Sequence, residues 1–194
     1  MPERRKKYSL LERWQQDDGQ AFEVLRFRHK NKATGANMSK DIQKYMWSGL
    51  NKQQVGAYTE YFVMMELTMY GFQVYKTEVD DRGIDFVARH ANGPFIEVQV
   101  KSVRPHPSGY VFMQKEKFVL QDSLFLALGL LFDGRMPELY LVPSIVWKEP
   151  NDVFVSRDFK GLESKPEWGL NISNNAMSVL EPYRFDRAVS KLLV

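Results

Sequence analysis

The most regular pattern in the chain is a helical one that runs from Asn51 to Gly71. Apolar side chains recur there every three or four residues, the spacing of one face of an α-helix: Val55, Tyr58, Phe62, Met65 and Met69. Four further apolar residues widen this stripe: Ala57, Tyr61, Met64 and Leu67. The pattern predicts a helix that is packed on most sides and ends at Gly71, with a narrow polar face at Lys52, Thr59 and Glu66.

Three short β-type runs follow this helix, at 72–79, 84–90 and 95–102, separated by the turn sequences DDRG and ANGP. They predict a three-stranded meander. A Pro/Gly loop then leads to YVFM, a short helical stretch QKEKFVLQDS, and two apolar strands, LFLALGLLF and ELYLVPS. We expect the tail from Ile145 to be peripheral helix and loop. This order of elements predicts an α/β fold with a mixed β-sheet flanked by helices.

The run at 95–102 is polar on one face only. One face holds Ile96, Val98 and Val100, and the other holds Glu97, Gln99 and Lys101. An inner strand of an α/β sheet is usually apolar on both faces, because helices cover both. Two interpretations therefore stand: an edge strand with a solvated face, or a strand whose polar row has a chemical role.

Asp85 favours the chemical role. It starts the preceding apolar run directly after the DDRG turn, so a hairpin between the two runs would place its carboxylate beside the polar row. Mg²⁺ prefers oxygen ligands; it lowers the pKa of a water molecule and neutralises charge on a phosphate. Lysine is a compact cation that can orient water and stabilise transition-state charge. A carboxylate, an amide and the amine of Lys101 together suit metal-assisted hydrolysis of a phosphodiester.

The same residues resemble a known motif. Gly83-Ile84-Asp85, followed by EVQVK at 97–101, resembles the motif of the PD-(D/E)XK nuclease superfamily, which has a restriction-endonuclease-like fold. The segment VGAYTEYFVMMELTMYGFQVYKTEVDDRGID is similar to the opening helix and hairpin of Holliday-junction-resolvase-type members. The resemblance implies an endonuclease that hydrolyses phosphodiester bonds in DNA with Mg²⁺, or with Mn²⁺ in its place. It also implies a homodimer, since two sites are needed to cut two strands.

The resemblance also implies a role for each motif residue. Asp85 would be the principal metal ligand, Gln99 a neutral second ligand, and the backbone carbonyl of Val100 would complete the metal shell. Lys101 would position water and stabilise charge. Glu60 matches the helix glutamate that points into the site of resolvase-type members, where it would be an auxiliary acid and metal ligand.

Gln99 stands where most members of the superfamily have an acidic residue, although QxK variants are familiar among Mrr-like restriction enzymes. Its amide offers an oxygen without negative charge, so metal affinity should be lower unless Glu97 or Glu60 supplies a second carboxylate. The main alternative is therefore a DNA-binding module of the same fold without catalytic activity. A second alternative is an interaction protein whose polar strand face is merely solvated.

Charge is unevenly distributed along the chain. Residues 1–50 hold 11 Lys and Arg against 6 Asp and Glu, whereas the net charge of the whole chain is only +3. With the polar, glycine-containing stretch at 29–37, this predicts a basic N-terminal extension at 1–37 and a nuclease-like domain at 38–194. The extension would be either a nucleic-acid-binding arm or a solvated helical appendage.

Other features narrow the function further. Four basic residues beyond the polar strand are candidate phosphate contacts or ordinary surface charges: Arg104, His106, Lys115 and Lys117. The chain has no cysteine, which excludes disulfides and thiolate zinc sites, and no GxxxxGK[ST] or GxGxxG nucleotide-binding motif. It shows neither a secretory signal nor an apolar stretch of membrane-spanning length, so we expect a cytoplasmic protein without a membrane partner.

Overall fold

The computed structural model describes residues 44–76, 82–105 and 109–193. Its strands are β1 Phe72–Lys76, β2 Phe86–His90, β3 Ile96–Val103, β4 Gly109–Gln114, β5 Leu124–Leu130, β6 Glu138–Pro143, β7 Phe154–Arg157 and β8 Glu167–Ile172. Its α-helices are α1 Lys52–Met69, α2 Ala176–Leu180 and α3 Phe185–Ser190, with 3₁₀ turns at Trp47–Gly49, Ser144–Lys148 and Glu181–Tyr183. The predicted extension at 1–37 lies outside the described residues.

Five strands form the main sheet in the order β1-β2-β3-β5-β6. Neighbours are antiparallel except β3 and β5, which run parallel. The sheet is therefore mixed, and helices flank it, so the predicted α/β architecture and the meander of β1, β2 and β3 are confirmed. Because β3 is the third of five strands, the interpretation of its polar face as that of an edge strand is wrong.

Both ends of α1 follow from local sequence. The Asn51 side chain accepts the backbone N–H of Gln54 at 2.9 Å, and the Gln54 side chain accepts the backbone N–H of Asn51 at 3.0 Å. This capping box satisfies two of the N–H groups that have no partner within the first turn of a helix. At the other end Gly71 adopts a φ of +85°, the left-handed conformation that ends helices at low steric cost. The predicted end of the helix is confirmed.

The buried face of α1 agrees with the predicted one only in part. The residues that pack inward are Val55, Thr59, Phe62, Val63 and Leu67, whereas Tyr61, Met65 and Met69 are mostly exposed. Thr59 belonged to the predicted polar face, yet it is completely buried. Its hydroxyl donates to the carbonyl of Val55 at 2.8 Å, so the polar atom is satisfied within the helix and the side chain packs as a small apolar one.

A second sheet of three strands, in the order β4-β8-β7, packs over the other side of the main sheet. The tail beyond Ile145 was expected to be helix and loop, but it supplies two of these strands. The apolar residues Trp168, Leu170 and Ile172 alternate with polar ones or glycine, which is a strand pattern. The helical stretch expected at 114–123 is also absent: the chain turns there instead.

The main sheet separates two hydrophobic cores. The first lies under α1 and α3 and includes Phe62, Leu67, Phe86, Val98, Val100 and Val189. The second lies under the smaller sheet and includes Val111, Met113, Leu126, Leu128, Trp147 and Leu170. All seven residues of β5 are buried, which makes this strand part of both cores. Within the described ranges, no helix has the length and apolar character needed to span a lipid bilayer.

The close approach of α1 to β5 leads to a first prediction. A Cβ added at Gly129 would lie 2.6 Å from the Cγ2 methyl of Thr59, so Gly129→Ala should push the helix away from the sheet. We expect the free energy of unfolding to fall by about 1–3 kcal/mol, measured by urea denaturation. Thr59→Ser removes that methyl and should restore part of the loss in the Gly129→Ala background.

Gly56→Ala is the matched control. Gly56 lies inside α1 with no atom within 4 Å of an added Cβ, so alanine should raise the free energy of unfolding by about 0.5–1 kcal/mol. If Gly129→Ala is as stable as the natural protein, contact between Thr59 and Gly129 does not limit how closely the helix packs.

Candidate active site

The polar face of β3 faces the smaller sheet. Gln99 and Lys101 pair in register with Leu126 and Leu128 of β5, both of which belong to the second core. Gln99 is only 8% exposed, and Lys101 is half-buried. A long polar side chain buried on an inner strand costs free energy unless its polar atoms find partners. Because Gln99 is buried on an inner strand, it cannot be a polar residue of a solvated strand face.

The Asp85 carboxylate takes part in the junction between β2 and β3. The two strands pair antiparallel, as predicted, and the backbone N–H of Asp85 donates to the carbonyl of Val98 at 3.0 Å. The Oδ2 of Asp85 accepts the backbone N–H of Val100 at 2.6 Å, a short charge-assisted hydrogen bond. The carboxylate is thus held beside the backbone between Gln99 and Lys101, the two motif residues that flank Val100.

The turn before β2 fits closely around Gln99. Gly83 adopts a φ of +76°, and a Cβ added there would lie 2.8 Å from the Nε2 of Gln99. The glycine therefore supplies both the turn and the space that the amide occupies. Among the described residues, the Oε1 of Gln99 has no hydrogen-bond partner, although it is fully buried. A buried amide oxygen without a donor suits a cation, because it can complete a ligand shell without adding charge.

Gln99 and Lys101 line a pocket of about 420 Å³. Gly83 and Lys117 contribute to its wall, and the successive residues 110–114 of β4 form the opposite side. The smaller sheet therefore closes a space that β3 alone would leave open. The pocket joins the amide of Gln99, the amine of Lys101 and a row of β4 residues. Asp85 is not among its lining residues, but its carboxylate is bonded to the backbone of Val100, between the two polar residues of β3.

The two predicted auxiliary acids have partners elsewhere. The Oε2 of Glu97 accepts the Nε2 of Gln121 at 2.9 Å, and Glu97 lines a neighbouring pocket rather than the one that contains Gln99. Glu60 lies on α1 with its Oε2 3.9 Å from the Nζ of Lys76, and its side chain is 31% exposed. Among the described residues, no cluster of three or more His, Cys, Asp or Glu side chains is arranged to hold a metal.

The four candidate phosphate contacts occupy different environments. Arg104 donates to the backbone carbonyls of Trp47 and Leu50, at 2.8 and 3.0 Å, and so fastens the segment before α1. Lys115 donates to Asp158 at 2.6 Å, and this hydrogen bond lowers the pKa of that carboxyl. His106 lies outside the described residues. Lys117 lines both the candidate pocket and the neighbouring one, which makes it the best placed of the four to meet a phosphate.

Tyr110 also lines this pocket, although it was not among the predicted site residues. Its hydroxyl donates to the Oε1 of Glu167 at 2.6 Å. Burial, and then the hydrogen bond to Glu167, raise the pKa of Tyr110 to about 12, so the hydroxyl stays protonated at neutral pH. The alternation of Tyr110 and Phe112 with Val111 and Met113 was the available signal, since it predicts that the two aromatic residues share one face of β4.

The orphaned oxygen of Gln99 leads to a second prediction. Gln99→Met keeps the length of the side chain and removes the buried acceptor, so it should raise the free energy of unfolding by about 1–2 kcal/mol in EDTA. Urea denaturation measures this. Gln114→Met is the control, because Gln114 lines the same pocket but is only half-buried; its effect should stay within about 0.5 kcal/mol. A less stable Gln99→Met protein would mean that the amide makes a favourable interaction in the absence of metal.

No protein-family model and no curated protein matches the chain. Among solved structures, it is similar to a bacterial homing endonuclease, I-Ssp6803I, at 16% identity and a TM-score of 0.49, over 74% of this chain and 91% of that one. It is also similar to Hjc, a Holliday junction resolvase from the archaeal hyperthermophile Archaeoglobus fulgidus. That match has 14% identity and a TM-score of 0.42, and it covers 67% of this chain and 98% of the other. Both likenesses concern the course of the chain, with little identity in sequence.

Proposed function

We propose that the chain is a Mg²⁺-dependent endonuclease that hydrolyses phosphodiester bonds in DNA, with Asp85, Gln99 and Lys101 at its active site. The observation that carries the proposal is the burial of Gln99 on an inner strand, with an amide oxygen that has no partner among the described residues. The Asp85 carboxylate accepts the backbone N–H of Val100, the residue that follows Gln99, and Lys101 lines the same pocket as Gln99. DNA as substrate follows from the resemblance of Gly83–Asp85 and 97–101 to the PD-(D/E)XK motif.

The residues present fit a magnesium ion that the protein holds with few ligands. Asp85, Gln99 and the backbone carbonyl of Val100 would hold it, and Mg²⁺ in such sites commonly has only one or two carboxylates, with waters and substrate phosphate as its other ligands. The backbone N–H of Val100 fixes the position of the Asp85 carboxylate, which would be the charged ligand of the ion. When bound, Mg²⁺ would neutralise phosphate charge and make water a better nucleophile.

Each side chain would have a separate task. The Lys101 ammonium, half-buried in the pocket, would stabilise the negative charge that grows on the phosphate in the transition state. Gln99 would offer the metal a neutral oxygen ligand, so Asp85 would supply most of the negative charge around the ion. Lys117, at the mouth of the same pocket, would attract the phosphate backbone. Glu97 and Glu60 would be auxiliary acids, each with one carboxylate oxygen already in contact with Gln121 or Lys76.

A DNA-binding module without catalytic activity is the second candidate function. The absence of a three-acid cluster among the described residues favours it, as does the neutral side chain at Gln99. Cutting both strands of a duplex takes two sites, so the nuclease would act as a homodimer, whereas a binding module has no such need. Sedimentation with and without DNA would measure the oligomeric state.

Cleavage itself is the main test. The natural protein should cut plasmid, branched or single-stranded DNA with Mg²⁺ or Mn²⁺ and lose this activity in EDTA. Lys101→Ala should lower the rate by about 100- to 1,000-fold, the usual effect of removing one group that stabilises transition-state charge. Lys148→Ala is the control, because Lys148 is exposed in the 3₁₀ turn Ser144–Lys148. No cleavage by the natural protein with either metal would favour the binding module.

Metal affinity tests the role of Gln99. Gln99→Glu should tighten Mn²⁺ binding by about tenfold or more in calorimetry, because a charged oxygen near a divalent cation gains several kcal/mol at protein dielectric values, less the cost of its desolvation. Glu97→Ala should weaken binding in the natural protein and weaken it less in the Gln99→Glu background. This non-additivity is expected of two residues that serve one ion. Strictly additive losses would mean that Glu97 and Gln99 do not serve the same ion, and an unchanged affinity after Glu97→Ala would leave Glu97 with its hydrogen bond to Gln121 alone.

A further inference from the structure

Two aromatic side chains of β4 face away from the second core at the rim of the candidate pocket. Val111 and Met113 are buried in that core, whereas Phe112, on the other face of the strand, is 49% exposed. The rings of Tyr110 and Phe112 lie nearly parallel, with their centroids 6.4 Å apart and 21° between their planes. A single exposed apolar ring is ordinary, but this ring is paired with a second aromatic ring, and both line a pocket that also contains two lysines.

The orientation of Tyr110 is fixed from three sides. Its hydroxyl donates to Glu167, which is only 8% exposed. The ring lies across Gly169 so closely that a Cβ added to this glycine would overlap the phenol. The guanidinium of Arg157 lies over the ring, 4.6 Å from its centroid, and 3.6 Å from the Glu167 carboxylate. Tyr110 is therefore held in place before any ligand arrives, which lowers the entropic cost of binding.

The surroundings of the pair have the chemistry of a nucleic-acid site. Tyr110 and Phe112 line the same pocket as Gln99, Lys101 and Lys117. Lysines attract phosphates, and exposed aromatic rings stack on bases that have left their own stack. Because Lys101 and Phe112 line one pocket, a phosphate bound by Lys101 and a base stacked on Phe112 could belong to the same DNA strand.

We propose that Phe112, with Tyr110 beside it, is a stacking site for one unstacked base of the DNA next to the phosphate that is cleaved. The inference rests on the proposed function for its DNA substrate and narrows that substrate. Bases in an intact duplex are stacked, and extruding one costs a few kcal/mol. The site therefore favours DNA that already exposes a base near the cut, such as a bulge, a branch point or a single strand.

The test compares two DNAs of the same sequence, a fully paired duplex and one with a single unpaired 2-aminopurine nucleotide. Binding is measured in EDTA by fluorescence anisotropy, and stacking by the loss of 2-aminopurine emission. The natural protein should bind the bulged DNA more tightly and quench its emission. Phe112→Ala should weaken binding to the bulged DNA by about tenfold, abolish the quenching and leave the paired duplex unaffected. Phe112→Trp should retain both effects.

Phe95→Ala is the matched control, since Phe95 is 48% exposed and also contacts an arginine and a tyrosine, Arg89 and Tyr75, away from the pocket. It should leave binding to both DNAs unchanged. Equal weakening of both DNAs by Phe112→Ala, or no weakening of the bulged one, would overturn the stacking site. Urea denaturation of each variant establishes that it is folded.

Cleavage with Mg²⁺ keeps the two proposals apart. If Lys101-dependent cleavage occurs while Phe112→Ala changes neither binding nor emission, the stacking site fails and the nuclease stands. If Phe112 governs binding to bulged DNA but neither DNA is cleaved with Mg²⁺ or Mn²⁺, the nuclease fails and the stacking site belongs to a DNA-binding module.

Discussion

The inner position of β3 is the constraint from which the rest of the site follows. The backbone of β3 is hydrogen-bonded to β2 on one side and to β5 on the other, so its side chains can face only the two cores. Ile96, Val98 and Val100 fill the core under α1 and α3. The opposite row is polar although Leu126 and Leu128, beside it on β5, are completely buried. A polar side chain in this position costs stability unless its polar atoms find partners, and here the polar row lines a pocket between β3 and β4 instead of packing as an apolar row would.

Asp85 connects the backbone of the sheet to the chemistry of the pocket. Its side chain accepts the backbone N–H of Val100, so the carboxylate takes part in the hydrogen bonding between the two strands. The charge is therefore positioned by the same hydrogen bond that holds the start of β2 against β3. Gly83 completes this arrangement, since its left-handed φ turns the chain and its missing side chain makes room for the Gln99 amide. Fold and site are coupled at this junction, and a change in either would disturb both.

The far wall of the pocket comes from distant parts of the chain. β4 pairs with β8, and the Tyr110–Glu167 hydrogen bond joins residues 57 positions apart. Lys115 likewise donates a hydrogen bond to Asp158, 43 positions away, so its charge is paired with a carboxylate. The C-terminal tail thus decides which side chains of β4 and the following turn remain available to a ligand. It leaves Phe112 and Lys117 at the rim, one suited to a base and the other to a phosphate.

The sequence by itself determined the features that depend on neighbours along the chain. The capped helix and its end at Gly71, the antiparallel meander, and the alternation that places Gln99 and Lys101 on one face all follow from spacing and turn residues. Only the tertiary structure decided which faces are covered. Whether β3 is an edge or an inner strand, and whether Met65 or Thr59 of α1 is buried, depends on segments far away in sequence. The partners of Arg104, Lys115 and Glu97 were undetermined for the same reason: a charged side chain has the same local signature whether it meets a phosphate, a backbone carbonyl or another side chain.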